Sequence, residues 1–170
     1  AVDGRGCLSA WSAATGALVA GAALEAAVSA IAVVETVRPA GLIRAPPPPP
    51  RARGAAATDS FGCELLLWAG LEDGRIAVLA SAELQRRATL TAHHGAVTCV
   101  CAPGAPPAAP NQGASIVLSG GADCCMLLWD ARTAEQLRSL QCGGAVLCAM
   151  IALWSAPAGG RDASCRVWSA

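Results

Sequence analysis

The chain has no lysine and no tyrosine, and only one phenylalanine and one asparagine among its 170 residues. Without lysine, neither Schiff-base chemistry nor a P-loop is available, because both need a primary ammonium. Charge is scarce as well. Charged residues make up 14% of the chain, and 12 arginines balance 12 carboxylates to a formal net charge of zero. With 54% apolar residues, this balance excludes an intrinsically disordered chain, which pairs low hydrophobicity with high charge. It also argues against a nucleic-acid binder that works by bulk positive charge. Arg86-Arg87 reads as a solvated face. About 40 residues are alanine. Arginine in place of lysine, with abundant Ala, Gly and Pro, is what GC-rich coding produces, so the alanine is weak testimony for helix.

Catalytic signatures are missing. There is no Gly-x-Ser-x-Gly elbow, and the carboxylates stand singly in turns or on polar faces. No catalytic residue, cofactor or small-molecule substrate is expected. His93, His94, Cys99 and Cys101 have the right ligand types for zinc. However, Cys99 and Cys101 are spaced as one face of a strand rather than as a two-to-four-residue zinc knuckle. No metal is expected. The nine cysteines are odd in number and sit mostly inside apolar runs, without framework spacing. They read as small buried hydrophobes in a reducing, intracellular, cytoplasmic setting. The vicinal pair Cys124-Cys125 lacks a neighbouring base and reads as inert packing.

Residues 17–34 are the longest apolar run and just reach spanning length. Their bulk is Ala and Gly, and the central Glu25 costs about 2.5–3.5 kcal/mol to insert, so no membrane span is expected. The chain opens on Ala1 without a basic and apolar leader, which suggests an excerpt of a longer protein.

Composition divides the chain into three stretches, 1–43, 44–61 and 62–170. Residues 44–61 are rich in Pro, Arg and Ala, with five consecutive prolines at 46–50. Such a run is a polyproline II rod that no strand or helix can enter. It reads as an insertion or linker in a tolerant loop, and Pro48 is a candidate partner contact for a proline-recognising groove. Residues 1–43 and 62–170 carry short apolar runs punctuated by turns. Glu72-Asp73-Gly74 between two such runs is a hairpin signature. Strands are predicted over 6–12, 16–22, 27–35, 63–70, 75–80, 86–92, 96–102, 115–120, 125–130, 136–141, 145–151, 154–158 and 164–169. An Ala-rich helix over 17–36 is the alternative for the early strands.

The turns repeat. Asp73 to Leu79, Asp123 to Trp129 and Asp162 to Trp168 each open with Asp and place a large apolar residue six positions later. Gly4 to Trp11 is an expanded version of the same unit. Upstream, Ala92-His93-His94-Gly95-Ala96-Val97 matches Gln141-Cys142-Gly143-Gly144-Ala145-Val146. The Trp129-Asp130 pair with its upstream His93 resembles the WD-repeat β-propellers, whose four-stranded blades recur every 40–45 residues or so. The resemblance implies an all-β partial propeller of about three to four antiparallel blades with a Pro-rich insertion. It implies a buried network of His93, Ser119, Asp123 and Trp129, and blade-core positions at Trp11, Leu79 and Trp168. Cys142 takes the histidine position of the last repeat, so the network is expected to be incomplete there. The function implied is a non-catalytic scaffold for protein partners, contacting them through turn residues such as Glu72, Arg132 and Glu135. A regulatory propeller segment of a longer multidomain enzyme is the alternative.

Overall fold

The computed structural model describes residues 6–37, 63–104, 116–144, 146–155 and 164–169. Pro48 and the rest of the 44–61 segment lie outside them. The described residues form twelve strands and no helix. Strands β1 (Cys7–Trp11) and β2 (Leu18–Ala23) make a two-stranded sheet. Strands β3 (Val28–Val37), β4 (Cys63–Leu71), β5 (Arg75–Ala80) and β6 (Gln85–Thr91) make a four-stranded one. Strands β7 (Val97–Cys101), β8 (Ile116–Gly121), β9 (Cys125–Asp130) and β10 (Gln136–Gln141) make another. Strands β11 (Met150–Ser155) and β12 (Ser164–Ser169) pair alone. Every pairing is antiparallel between consecutive strands. This up-and-down order is the local topology of propeller blades.

Alternation along the strands explains the stacking. In β4, Leu66 and Trp68 face one way and Leu67, Ala69 and Leu71 the other, as a period of two requires. Each face then meets a different neighbour. Leu8 and Leu24 cover Leu67, Ala69, Leu71 and Leu79 on one side. Val97, Val117, Leu127 and Trp129 cover Val34, Leu66, Trp68, Ile76 and Val78 on the other. Cys99, Leu118 and Met126 meet Leu147, Met150 and Ala152 in the third layer. Each of these layers draws residues from two successive sheets, so each blade depends on the next.

The turns explain two glycines. Gly74 has φ +86°, and a Cβ there would stand 2.3 Å from the His93 carbonyl oxygen. Gly6 has φ +81° and the same conflict with Ala26. Only glycine meets both demands without strain. Cys124 takes the corresponding turn position 50 residues after Gly74 and keeps a positive φ of 63°.

The structure departs from the sequence expectation in the last blade. Thirteen strands were expected and twelve are present among the described residues. Residues 146–149 carry no strand, and β11 runs through the interval that separated the expected strands 145–151 and 154–158. The role of β12 also changes. The Ser29 hydroxyl donates to the Gly70 carbonyl and to that of Val97, and the Thr98 hydroxyl donates to Gly120 and to Leu147. Leu147 therefore stands where Val97 stands, 50 positions on. Leu147, Met150 and Ala152 pack on their preceding blade just as Val97, Val100 and Ala102 pack on theirs. β11 is thus the first strand of its blade and β12 the second. The sequence pattern places residues 164–169 third, by aligning Trp168 with Trp129. The pairing of Ile151 with Trp168 instead parallels that of Cys101 with Leu118. Trp168's side chain lies outside the described residues.

Trp11 is the second correction. It occupies the third-strand position of Leu79 and Trp129, but it is 56% exposed where they are 0% and 3%. That position faces the preceding blade, and no described strand precedes β1. The early segment 17–36 forms strands β2 and β3, not a helix. No helix among the described residues is long and apolar enough to cross a membrane.

Candidate functional site: a sealed polar network beneath a charged rim

Four polar side chains converge where β7, β8 and β9 meet the loop before β7. His93 lies in that loop, Ser119 on β8, Asp123 in the β8–β9 turn and Trp129 on β9. The Trp129 indole N–H donates to Ser119 Oγ at 2.9 Å. Ser119 Oγ lies 2.9 Å from His93 Nε2. His93 Nδ1 lies 3.0 Å from one Asp123 carboxylate oxygen and 3.1 Å from the other. The partners assign the protons. An indole can only donate and a carboxylate can only accept. Ser119 therefore accepts from Trp129 and donates to Nε2, and Nδ1–H donates to Asp123. With a neutral imidazole every donor and acceptor in the row is matched, which buried polar groups require.

Asp123 does further work in the turn. The backbone N–H groups of His94 and Cys125 donate to it at 2.9 and 3.1 Å. Partial burial alone would raise its pKa. The bonds from His94, His93 and Cys125 outweigh that and hold the carboxyl below its ordinary value. A carboxyl lowered on folding stabilises the native state while ionised, and that contribution is lost as pH falls through the native value. The urea midpoint is expected to be flat from pH 7 to about 5 and to drop below about pH 4. Asp123→Asn should show a shallower drop than the parent. Equal acid slopes in parallel urea titrations would remove Asp123 from the acid response.

An Asp–His–Ser row has the order of a hydrolytic triad, and the geometry shows why this one is mechanical. Ser119 is 0% exposed and His93 6%. The serine oxygen already accepts the indole N–H, so neither an open path nor an uncommitted lone pair faces solvent. Its effect is to pin the loop before β7 to the β8–β9 turn. Gly121 completes the fit, since a Cβ there would lie 2.5 Å from His93 Nδ1 and 2.7 Å from Asp123 Oδ1.

The other blades solve the same position differently. Fifty residues earlier stand Ala69 for Ser119, Asp73 for Asp123 and Leu79 for Trp129. Ala69 and Leu79 are fully buried in an apolar layer. Replacing both partners of a hydrogen bond by apolar groups leaves no orphan. Asp73 keeps the turn bond to the Arg75 N–H at 3.1 Å and takes the Arg75 guanidinium in place of an imidazole, at 2.6–2.7 Å. Arg75 also reaches Glu25 at 2.7 Å, which ties the β2–β3 connection to β5 on an exposed face. In the last blade the offset of 50 places Gly143, with φ +59°, opposite His93. The Cys142 N–H instead bonds the Cys124 carbonyl, as Ala92 bonds Gly74. The expected incompleteness there therefore has a different cause from the one read in the sequence.

Trp68 was not singled out in the sequence, because it fits no turn-to-tryptophan spacing. It is fully buried, packs on Trp129 with ring centroids 6.3 Å apart, and its indole N–H has no hydrogen-bond partner. The remaining expected residues lie outward. Glu72, Arg132 and Glu135 are exposed on turns. Arg132 and Arg87 border a cleft of about 260 Å³ floored by Leu66, Val78 and Ala88. Arg87 is held by Glu64 at 3.0 Å. No group of three or more metal-ligating side chains is placed for a metal among the described residues. His93, His94, Cys99 and Cys101 do not form one.

Residues 84–130 match the family described as WD domain, G-beta repeat. No curated protein matches the sequence. Among solved structures, the chain is similar to Saccharomyces cerevisiae Sqt1 at 14% identity, over 99% of this chain and 36% of that one, with a TM-score of 0.66. It is similar to the RRP9 WD40 repeats at 13% identity, over 88% and 36%, with a TM-score of 0.59. A chain of the mitotic checkpoint complex aligns at 15% identity, over 87% and 36%, with a TM-score of 0.57. The chain thus spans about a third of the length of these relatives. At such identities the likeness is one of fold: all-β, partial propeller, divergent in sequence.

Proposed function

Starting from a WD40 repeat at residues 84–130 set among propeller blades, we propose that the chain is a non-catalytic scaffold holding protein partners within a larger assembly. The carrying observation is the division of its polar groups. The buried polar row Trp129–Ser119–His93–Asp123 is sealed and spent on rigidity. The charged side chains Glu72, Arg132 and Glu135 stand exposed on turns that the stacked blades hold in place. Rigid elements that present variable turns are suited to recognition rather than to chemistry. Arg132 beside the apolar floor of the cleft offers both a charge and a dry contact, as interface anchors do. The seven cysteines whose side chains are described carry thiols rather than disulfides, which supports a reducing, cytoplasmic setting.

Cross-linking in cells tests this reading. A tagged chain is expected to give a reproducible set of protein cross-links that map to the Glu72 turn and the 131–135 turn. Charge reversal by Glu72→Arg, Arg132→Glu and Glu135→Arg together should reduce them at least several-fold, with the melting curve unchanged. Cross-links that survive the reversal in full, or none above background, would overturn it.

A further inference from the structure

The cleft bordered by Arg87 and Arg132 lies between the two four-stranded sheets, and both of its walls belong to them. Glu64 and Leu66 come from β4, Val78 from β5, and Arg87 and Ala88 from β6. The β9–β10 turn, residues 131–134, closes the other side. That turn is fixed before anything binds. The Asp130 carboxylate accepts the backbone N–H groups of Arg132 and Thr133 at 2.8 and 2.9 Å. The Ala134 N–H bonds the Asp130 carbonyl at 3.0 Å, and the Asp130 N–H bonds the Glu135 carbonyl at 2.9 Å.

The charges around the cleft do not cancel. Glu64 holds Arg87 at 3.0 Å, so that carboxylate and that guanidinium answer each other. Asp130 is spent on the backbone of its own turn. Glu135, the other acid of the turn, does not line the cleft. Arg132 is left exposed on the rim, with no ion pair among the described residues. Covering an unpaired guanidinium with apolar surface is strongly unfavourable, so whatever seats here brings an anion. The volume narrows the choice further. At about 260 Å³ the cleft falls below the range of roughly 300–1,000 Å³ that small-molecule and cofactor sites occupy. It has room for one or two side chains.

Resting on the scaffold reading, we propose that this cleft docks an extended acidic segment of a protein partner, with an aliphatic side chain on Leu66, Val78 and Ala88 and an Asp or Glu side chain on Arg132. Alternate side chains of an extended segment share a face, so the aliphatic residue and the acid stand two positions apart and the residue between them points away. The guanidinium fork takes a carboxylate through two parallel N–H bonds. Because the hydrogen bonds to Asp130 already order the turn, little of the binding energy is lost in arranging the backbone that carries Arg132.

A phage-displayed library of random octapeptides, selected on the immobilised chain, tests this. The expected consensus is Leu, Ile or Val two positions from Asp or Glu. Selection on Arg132→Glu should replace the acid by Arg or Lys at the same position. Arg132→Ala should weaken the synthetic consensus peptide about tenfold, the cost of one charged hydrogen bond. Ala88→Phe fills the floor and should abolish binding of that peptide. Arg132 is exposed on a turn, so its variants should keep the parent's melting curve and decide the matter even if Ala88→Phe does not fold. No enrichment, a consensus without the acid, a consensus unchanged on Arg132→Glu, or full binding by a folded Ala88→Phe would each overturn the proposal. Glu72 lies outside the cleft, so cellular cross-links that persist at its turn would leave the scaffold reading standing while this one falls.

Discussion

Trp129→Ala is expected to destabilise the chain by about 3–5 kcal/mol, the range for removing a buried aromatic. Two separate losses justify the upper part of that range. Trp129 is 3% exposed and packs with Trp68, Val117 and Leu127 in the layer between the two complete blades. Its removal leaves a cavity that rigid strands on both sides cannot close. It also takes away the donor to Ser119 Oγ, leaving a fully buried oxygen one partner short, at about 1–3 kcal/mol. Urea denaturation followed by far-UV circular dichroism measures the sum. A midpoint corresponding to less than about 0.5 kcal/mol of loss would show that the indole is not part of the core.

Gly121→Ala should be nearly as damaging, although it adds a single methyl. The added carbon would lie 2.5 Å from His93 Nδ1 and 2.7 Å from Asp123 Oδ1. Neither neighbour is the loose end of a flexible chain. The imidazole is held at both nitrogens, and the carboxylate is held by two backbone N–H groups. Forced overpacking costs about 1–3 kcal/mol. Breaking the His93–Asp123 bond adds about 1–3 kcal/mol for the buried group left unmatched. Gly21→Ala is the control for adding a methyl to a strand, since a Cβ at Gly21 would meet only the Leu8 carbonyl oxygen at an ordinary 3.8 Å. The Gly121 variant should melt well below that control. Comparable melting of the two would mean that the network tolerates the methyl and does not rigidify the blade.

Much of the candidate site is legible in the amino-acid pattern. The Asp123-to-Trp129 turn, the upstream His93 and the strand end at Ser119 are local patterns, and strand pairing through tight turns places them together. Leu79 in place of tryptophan also announces an apolar version of the same position. Trp68 is not legible. Its burial depends on which face of β4 meets Trp129, and a strand flanked by two blades is apolar on both faces, so the pattern names no neighbour.

Low charge and high apolar content determined that the chain stacks, and the turn spacing determined that it stacks as strands. Only the tertiary structure decided where the last hairpin belongs. Trp168 follows Asp162 by the same interval as Trp129 follows Asp123, so sequence alone makes β12 a third strand. The Thr98 hydroxyl on the Leu147 carbonyl and the pairing of Ile151 with Trp168 make it a second strand. The physical reason is that an amphipathic strand looks the same at every position in a blade, and its place is set by the neighbours it packs against. The same reason leaves Trp11 exposed where Trp129 is buried. The two share a position in the repeat, but among the described residues only Trp129 has a preceding blade to cover it.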